Sequence, residues 1–357
     1  MTAVHFVVPE GIDDPDRPSG GNAYDRHISR ILDSSGFSVH VHPAPGPWPR
    51  PDSEALGALA RVAQELPDGS VALIDGLVAS AAPEVLVPLA GRLRLVVLVH
   101  MPLGQRPPNG EAETIRTREC AVLRAAAAVI TTSQWSRRRL LALYRLAPDR
   151  LHIAEPGVDR AGLATGTRHG GELLCVAAVT FDKGHDVLVE ALLSMPELPW
   201  RCLCVGSVER DPAFVEELRG RTHNGALGDR VSFPGPRTGS ELDASYDAAD
   251  LMVLASRAET YGMVVTEALA RGVPVVAADV GGLTEALGHG ADGVRPGLLV
   301  APGDPAALAA AIRAWLGDPA LRGRWRRAAQ ERRQSLSGWP RTASVIANVL
   351  IEASNGR

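Results

Sequence analysis

Residues 256–285 read SRAETYGMVVTEALARGVPVVAADVGGLTE and are the most informative stretch for the fold of this 357-residue chain. Together with the apolar run at 251–254, the stretch is typical of a strand, a loop, a helix, a second strand, a glycine turn and another helix. Near-continuous apolar strands that alternate with helices indicate a parallel sheet covered on both faces. The stretch therefore predicts an α/β fold.

The same alternation occurs twice along the chain. The predicted strands are 4–8, 39–42, 71–75, 95–100, 128–132, 173–179, 200–205, 231–233, 251–254, 273–278 and 297–300. The predicted helices include 24–34, 53–65, 111–126, 187–194, 212–218, 263–270 and 305–315. The first series ends near residue 153, and a weakly apolar segment rich in Gly and Thr follows it. We predict an N-terminal domain at 1–155, a linker at 156–171, a second domain at 172–335 and a helical tail at 336–357.

Composition narrows the class of protein. The chain has 37 Lys and Arg against 41 Asp and Glu, a net charge of −4, which argues against a nucleic-acid binder. Because no secretory signal and no long apolar run is present, we expect a cytoplasmic protein. Basic amphipathic segments at 137–145 and 324–327 can mark a membrane-surface face, but we interpret them as solvated helix faces and do not predict membrane contact.

Two glutamates flank a helix start in the opening stretch. Glu259 lies in the loop after the strand at 251–254, and Glu267 lies in the helix that follows. Between them, Gly262 permits a tight backbone turn, which leaves its amide and those of Met263 and Val264 at the helix N-terminus. Free amides and the positive end of the helix dipole together favour a phosphate.

Three further features follow predicted strands. Lys183 precedes a glycine and a helix, where a lysine can reach a phosphate oxygen as a point charge. Gly20 and Gly21 let the backbone approach a ligand, but they do not form the Gly-x-Gly-x-x-Gly fingerprint, which weakens a nicotinamide interpretation. His100 ends an apolar strand at the sheet edge where ligands of such folds bind.

These residues resemble the retaining family-4 glycosyltransferases of the GT-B fold, the glycosyl transferases group 1 type, over nearly the whole chain. The resemblance is carried by two glutamates separated by seven residues (Glu259 and Glu267), a Gly-x-Pro-Val-Val strand at 272–276 and a Gly-Gly-x-x-Glu turn at 281–285. It implies two doubly wound, Rossmann-like domains that face a central cleft. It also implies that the tail at 336–357 crosses back to the first domain.

The resemblance also implies site roles. Glu259 is expected at the hydroxyls of the transferred sugar, Glu267 at the nucleotide ribose and Lys183 at the diphosphate. His100 is expected to touch the donor sugar, so the implied catalytic residues are His100, Glu259 and Lys183. The implied donor-binding residues are Gly20, Gly21, Lys183, Gly235, Arg257, Tyr261, Gly262, Met263, Val264 and Glu267.

One position departs from the family pattern. The family has an arginine about five residues before the lysine, where this chain has Ala178, and Arg257 and Arg210 are the candidates to supply the missing charge. A diphosphate leaving group needs its developing negative charge met, and one lost charge-assisted contact typically costs about 1.5–3 kcal/mol.

The resemblance implies transfer of a hexose-type sugar from a UDP- or GDP-sugar to a hydroxyl acceptor, with retention at the anomeric carbon. No cofactor and no metal is expected, because Lys183 and backbone amides serve the phosphates. Two other classes stay open. One is a GT-B phosphorylase or sugar-nucleotide epimerase, and the other is a non-catalytic nucleotide-sugar-binding protein, which the alanine at 178 brings into consideration.

Overall fold

Two units, each built on one sheet, make up the chain in the computed structural model, which describes residues 2–14, 18–105, 110–223 and 227–356. The first unit comprises Met1–Asp14, Ser19–Gly157 and Ser337–Arg357, and the second is built on Val158–Leu336. Residues 158–171, in the predicted linker, belong to the second unit.

Parallel strands and flanking helices form the first unit. The strands are β1 (Thr2–Pro9), β2 (Phe37–Ala44), β3 (Val71–Asp75), β4 (Arg94–Val99), β5 (Ala128–Thr131) and β6 (Leu151–Ile153). The helices are α1 (Gly20–Ser34), α2 (Ser53–Glu65), α3 (Gly76–Ala79), α4 (Pro83–Leu86), α5 (Ala112–Ala125) and α6 (Gln134–Tyr144). The strand order is β2-β1-β3-β4-β5-β6, with every pairing parallel.

The second unit repeats this architecture. Its strands are β7 (Glu172–Val176), β8 (Arg201–Val205), β9 (Val231–Gly235), β10 (Leu251–Leu254), β11 (Val275–Ala278) and β12 (Gly297–Val300). Its helices are α7 (His185–Leu193), α8 (Pro212–His223), α9 (Gly239–Asp247), α10 (Met263–Ala270), α11 (Leu283–Leu287), α12 (Pro305–Gly317) and α13 (Pro319–Ser335). The parallel strands lie in the order β12-β11-β10-β7-β8-β9.

The central strands are buried on both faces, as the apolar runs predict. Every residue of β3, β5, β10 and β11 is buried, which is typical of parallel sheets with helices on both sides. The predicted α/β class with two doubly wound, Rossmann-like domains is therefore confirmed. None of the helices in the described ranges is long and apolar enough to cross a bilayer.

Helices α1 and α9 differ from their sequence predictions for local reasons. Helix α1 begins at Gly20 rather than at residue 24, because the Ser19 hydroxyl caps it and accepts a hydrogen bond from the Asn22 amide at 3.1 Å. Helix α9 was not predicted. Only Ser245 and Tyr246 of this helix are buried, so its sequence lacks the apolar period that reveals a helix.

The last helix, α14 (Trp339–Ser354), belongs to the first unit. Its buried face includes Trp339, Ile346 and Leu350, and the helix packs on α1, β3 and β4. Near its start, the Thr342 hydroxyl donates to the carbonyl of Glu155 at 2.7 Å. The first unit thus combines the N-terminal part of the chain with its last helix.

A buried carboxylate anchors the segment before β7. Asp250 accepts hydrogen bonds from the Thr167 amide at 2.6 Å, the Thr167 hydroxyl at 2.5 Å and the Glu172 amide at 3.0 Å. Arg326, from the basic segment of α13, is its ion-pair partner at 2.7 Å. Residues 167–172 are therefore fixed on the second unit by one side chain.

We expect Asp250→Ala to lower the free energy of unfolding by about 3 kcal/mol or more, because buried donors lose their common acceptor. The exposed Asp247, which accepts from the Thr165 amide and hydroxyl at 3.0 Å, provides a matched control. Asp247→Ala should cost about 1 kcal/mol or less. Urea denaturation followed by circular dichroism measures both, and equal losses would contradict the anchoring role of Asp250.

Candidate active site

The order of the strands in the second sheet reverses between β7 and β10. Strand β7 lies between β8 and β10, with Leu173 opposite Leu251 and Leu174 opposite Met252. In open parallel sheets, ligands bind outside the carboxyl ends of the strands at such a reversal. Lys183 follows β7 and Glu259 follows β10, so both come from the loops that border this point.

Lys183 and Glu259 form an ion pair there. The Lys183 Nζ contacts Glu259 Oε1, and the Ser256 hydroxyl lies 3.4 Å from the same oxygen. The Lys183 and Glu259 side chains are 29% and 15% exposed, so solvent and ligands reach the pair. Two residues that the sequence analysis selected from separate motifs are therefore in direct contact.

The glycine turn at 281–282 supports the backbone of Glu259. Gly281 has a φ of +60°, and a Cβ at this position would lie 1.4 Å from the Glu259 carbonyl oxygen. The Gly282 amide donates to that same oxygen at 3.3 Å. Because only glycine permits this approach, the Gly-Gly pair sets the position of the loop that carries Glu259.

The start of α10 leaves backbone amides available to a ligand. Gly262 has a φ of +95° and no described side chain caps the helix at this point. A Cβ on Gly262 would lie 2.4 Å from Leu283, so the loop packs tightly on α11. Tyr261 is part of the hydrophobic core, whereas Met263 and Val264 are half-buried. The uncapped amides and the helix dipole are suited to an anion.

Glu267 lies further along α10 and is held by a tyrosine. The Tyr246 hydroxyl donates to Glu267 Oε2 at 2.7 Å, and the Arg271 guanidinium lies over the Tyr246 ring at 4.5 Å. Burial raises the pKa of Glu267, although the hydrogen bond from Tyr246 opposes this. The carboxylate is therefore fixed in orientation.

Arg257 binds a carboxylate of its own unit. Its Nη1 and Nη2 donate to the two oxygens of Asp186 at 2.7 and 2.6 Å, and Nη1 also donates to the Phe181 carbonyl at 2.8 Å. Burial opposes ionisation of Asp186, yet the bonds from Arg257 hold its pKa below the usual range. Since the Arg257 amide also donates to the Asp182 carbonyl at 2.8 Å, this arginine joins the loop of Lys183 to the loop of Glu259.

A double-mutant cycle tests this joining role. We expect Arg257→Ala and Asp186→Ala each to lower the free energy of unfolding by about 1–3 kcal/mol, because each removes a charge-assisted pair. The double variant should lose clearly less than the sum of the two, since both changes break the same contact. Urea denaturation gives the three values, and strict additivity would show that the pair contributes nothing.

Gly235 and Arg210 lie near other strand ends. Gly235 ends β9 with a φ of +93°, and a Cβ there would meet no atom within 4 Å. Its carbonyl accepts from the Gly206 amide at 3.0 Å, which places it beside the end of β8. Arg210, the other candidate for the charge missing at Ala178, is exposed in the loop after β8.

The first unit places His100 directly after β4. Its Nε2 lies 2.8 Å from Asp25 Oδ1 and 3.5 Å from Asp75 Oδ2. Gly20 and Gly21 are the first residues of α1, and a Cβ on Gly21 would lie 3.3 Å from His100 Cδ2. Gly21 thus gives room to the histidine ring.

Sequence reasoning missed the two carboxylates beside His100. Asp75 ends the buried strand β3, and Asp25 lies on the buried face of α1 with Ile28 and Leu32. A carboxylate on an apolar helix stripe or at the end of a buried strand is the signal that could have found them.

The carboxylates change the ionisation of the histidine. Burial lowers the pKa of His100, but the charges of Asp25 and Asp75 and the bond to Asp25 outweigh it and raise the pKa to about 9. Burial and the neighbouring Asp25 raise the pKa of Asp75 well above its usual range. The two carboxylates therefore favour the imidazolium form of His100.

Asp25, Asp75 and His100 also form the group of possible metal ligands that the described ranges contain, with ligand atoms within 4.8 Å of one another. No spacing of residues along the chain indicates this group, because the three residues come from α1, β3 and the end of β4. The distance of 2.8 Å between Nε2 and Oδ1 is that of a charge-assisted hydrogen bond, and we interpret the group as a hydrogen-bonded network.

Two family models match the chain. The model described as Glycosyltransferase Family 4 matches residues 3–161, and the model described as Glycosyl transferases group 1 matches residues 169–332. The fold is that of the GT-B class, which the solved structures below share. The chain belongs to the family-4 glycosyltransferases, and the predicted family is confirmed.

Curated relatives named D-inositol 3-phosphate glycosyltransferase align with part of the chain. The relative from Jonesia denitrificans is 33% identical over 263 residues, which cover 67% of this chain and 61% of the relative. The relative from Pseudarthrobacter chlorophenolicus is 35% identical over 258 residues, or 66% and 59% of the two chains. The alignments thus span less than two thirds of the length of these relatives.

Solved structures match the whole chain. Sucrose-phosphate synthase from Thermosynechococcus elongatus superposes with a TM-score of 0.78 at 23% identity, covering 100% of both chains. Anabaena HepE, solved in complex with UDP-glucose, gives a TM-score of 0.74 at 21% identity, covering 99% of this chain and 100% of HepE. These similarities show the GT-B fold.

Proposed function

We propose that this chain is a retaining, metal-independent glycosyltransferase that transfers a hexose-type sugar from a UDP- or GDP-sugar to a hydroxyl acceptor. The observation that carries the proposal is the contact between Lys183 and Glu259 at the strand-order reversal of the second unit. A cation and a carboxylate side by side suit a ligand with a phosphate next to a sugar. Membership of the family supports the same activity.

The donor diphosphate is assigned to Lys183 and to the amides at the start of α10. In the free protein the Lys183 ammonium is paired with Glu259, so the phosphate competes with this carboxylate for the cation. Departure of the nucleoside diphosphate concentrates negative charge on its oxygens. Once the phosphate has taken Lys183 from Glu259, this cation and the helix amides stabilise that charge, and we propose that no divalent cation is needed.

The donor sugar and ribose are assigned to the two glutamates. Once the phosphate takes Lys183, Glu259 is available to accept hydrogen bonds from sugar hydroxyls. Glu267, fixed by Tyr246, is suited to the paired hydroxyls of a ribose. Gly235 ends β9, and a Cβ there would meet no atom within 4 Å, so we assign it to the neighbourhood of the nucleotide base.

Retention is proposed from the family, and we assign it to front-face departure of the leaving group. No nucleophile is identified among the donor residues, because Glu259 is assigned to sugar hydroxyls and Glu267 to the ribose. In this scheme the departing phosphate takes the proton of the acceptor hydroxyl. His100, Gly20 and Gly21 are proposed as donor-side residues from the family pattern alone.

The similar proteins described above suggest the first substrates to test. HepE was solved with UDP-glucose, and the curated relatives are named for inositol 3-phosphate. A thermal-shift screen against UDP- and GDP-sugars identifies the donor, because a ligand raises the melting temperature in proportion to its differential binding. Inositol 3-phosphate and other sugar or polyol phosphates then serve as acceptors.

The decisive experiment is a transfer assay with the identified donor in excess EDTA. We expect nucleoside diphosphate release that depends on acceptor and persists with EDTA, and a product whose anomeric proton coupling matches that of the donor. Inversion of the coupling, or loss of activity that Mg²⁺ restores, would contradict the proposal. Phosphate-dependent release of a sugar phosphate would indicate a phosphorylase. Epimerisation of the donor without an acceptor would indicate an epimerase, and donor binding without turnover would indicate a non-catalytic protein.

A further inference from the structure

The ring of His100 is held on several sides. Gly21 leaves room for it, and the Tyr24 ring meets it edge-on with centroids 5.0 Å apart. Tyr24 is itself fixed, because its hydroxyl donates to the Ala154 carbonyl at 2.9 Å. Since Nε2 is engaged with Asp25, Nδ1 is the ring nitrogen that the described contacts leave for a ligand.

Two buried carboxylates share the space at Nε2. Asp25 and Asp75 are 0% and 3% exposed, and one oxygen of Asp75 accepts from the Leu77 amide at 2.6 Å. Asp25 Oδ2 is buried and has no donor among the described residues. Two such charges are costly to bury unless protons or cations accompany them. A second proton on His100 offsets one of these charges, and the raised pKa of Asp75 lets its carboxyl take up a proton as the pH falls below neutrality.

We propose that Asp25, supported by Asp75, is a positioning residue that keeps His100 doubly protonated and oriented, so that Nδ1 donates a hydrogen bond to an oxygen of the bound substrate. The ligand part of this inference rests on the proposed glycosyltransferase function. In this proposal His100 acts as a hydrogen-bond donor and not as a general base. The proton of the acceptor hydroxyl then passes to the leaving phosphate, as in the front-face scheme.

The groups that face His100 support this charge state. Asp25 from α1 and Asp75 from β3 are its acidic neighbours in the part of the chain that the structure describes. Tyr24, also on α1, stays neutral because burial and Asp25 raise its pKa well above the usual value. Helix α14 contributes Trp339, an uncharged ring 5.5 Å from that of Tyr24.

The protonation state can be measured without any substrate. Long-range proton–nitrogen spectra of the full chain labelled at histidine distinguish imidazolium from neutral rings, and His100→Gln assigns the signal. We expect His100 to stay doubly protonated at pH 7.5, with a titration midpoint near 9. Asp25→Asn should lower the midpoint by about 1–3 pH units, and Asp75→Asn should lower it less.

Tyr24→Phe provides the matched control. It alters the packing around His100 but leaves both carboxylates, so the midpoint should stay near 9. A neutral His100 at pH 7.5 in the wild-type chain, or an unchanged midpoint in Asp25→Asn, would overturn the proposal. Where Asp25→Asn fails to fold, Asp75→Asn is measured instead. Absence of a downward shift of the midpoint in Asp75→Asn would then contradict the proposal.

A kinetic readout links the charge state to the ligand. With a transfer assay in hand, kcat/KM of the wild type should fall only as the pH approaches 9, where His100 loses a proton. In Asp25→Asn the fall should move to lower pH by the same shift as the spectroscopic midpoint. Coinciding pH profiles for the two chains would contradict a donor role, whereas absence of all transfer would refute the proposed function and leave the spectroscopic result intact.

Discussion

Glu259→Gln is expected to lower kcat/KM for sugar transfer by about 10²–10³-fold, the size of effect seen when one fixed polar group at a reacting centre is removed. The variant keeps the shape of the side chain but loses the charge that meets Lys183 and, in our proposal, the sugar hydroxyls. A transfer assay with saturating acceptor gives the value. Glu241→Gln, an exposed residue in the first turn of α9, is the control and should keep full activity.

Nucleotide binding separates the roles of the two paired residues. In Glu259→Gln the ammonium of Lys183 no longer has a carboxylate partner, so the free nucleoside diphosphate should bind equally well or a few-fold more tightly, since such pairs are worth about 1 kcal/mol or less. Lys183→Ala should instead weaken nucleotide binding by about tenfold or more, because a charge-assisted contact is lost. Calorimetry measures both. Unchanged affinity in Lys183→Ala would remove this lysine from the donor site.

Gly281→Ala is expected to destabilise the second unit by about 2–5 kcal/mol, the sum of overpacking and of left-handed backbone strain. The new Cβ would lie 1.4 Å from the Glu259 carbonyl oxygen, which is a backbone atom and not the end of a flexible side chain. The Glu259 loop must therefore shift, and transfer activity should be lost with it. Urea denaturation, with hydrogen exchange of peptides from residues 251–285, measures the effect.

Gly303→Ala isolates the contribution of the clash. Gly303 has a φ of +70°, close to the +60° of Gly281, but a Cβ there meets no atom within 4 Å. The control should cost only about 1–2 kcal/mol, the price of the backbone conformation alone. If both variants lost the same stability, the tight contact with Glu259 would not be a source of strain.

The apolar runs were sufficient to predict the framework. The predicted bounds at 71–75, 251–254 and 263–270 agree with β3, β10 and α10, because buried parallel strands and their covering helices have strong local patterns. Helix α9 was not predicted, because its side chains are mostly polar and exposed to solvent. A local sequence pattern therefore predicts a helix or strand only where enough of its own side chains are buried to produce that pattern.

The sequence indicated candidate site residues only where a motif stood beside a strand end. Lys183 and Glu259 were found because each lies in a recognisable strand–loop–helix sequence. Asp25 and Asp75 were missed because their meeting with His100 depends on the order of the strands, which no single stretch of sequence contains. Arg257 was predicted to bind the donor, and its bidentate contact with Asp186 depends in the same way on how two loops meet.

The return of α14 to the first unit has a consequence for biosynthesis. The ribosome translates β1–β6, then the whole second unit, and only afterwards the helix whose Ile346 and Leu350 cover α1, β3 and β4. Until that helix emerges, apolar surface of the earlier unit faces water, which is the condition under which nascent chains aggregate. The second unit is built on the single segment Val158–Leu336 and can complete its core before the last helix is made, so the two units can mature in the order opposite to their synthesis.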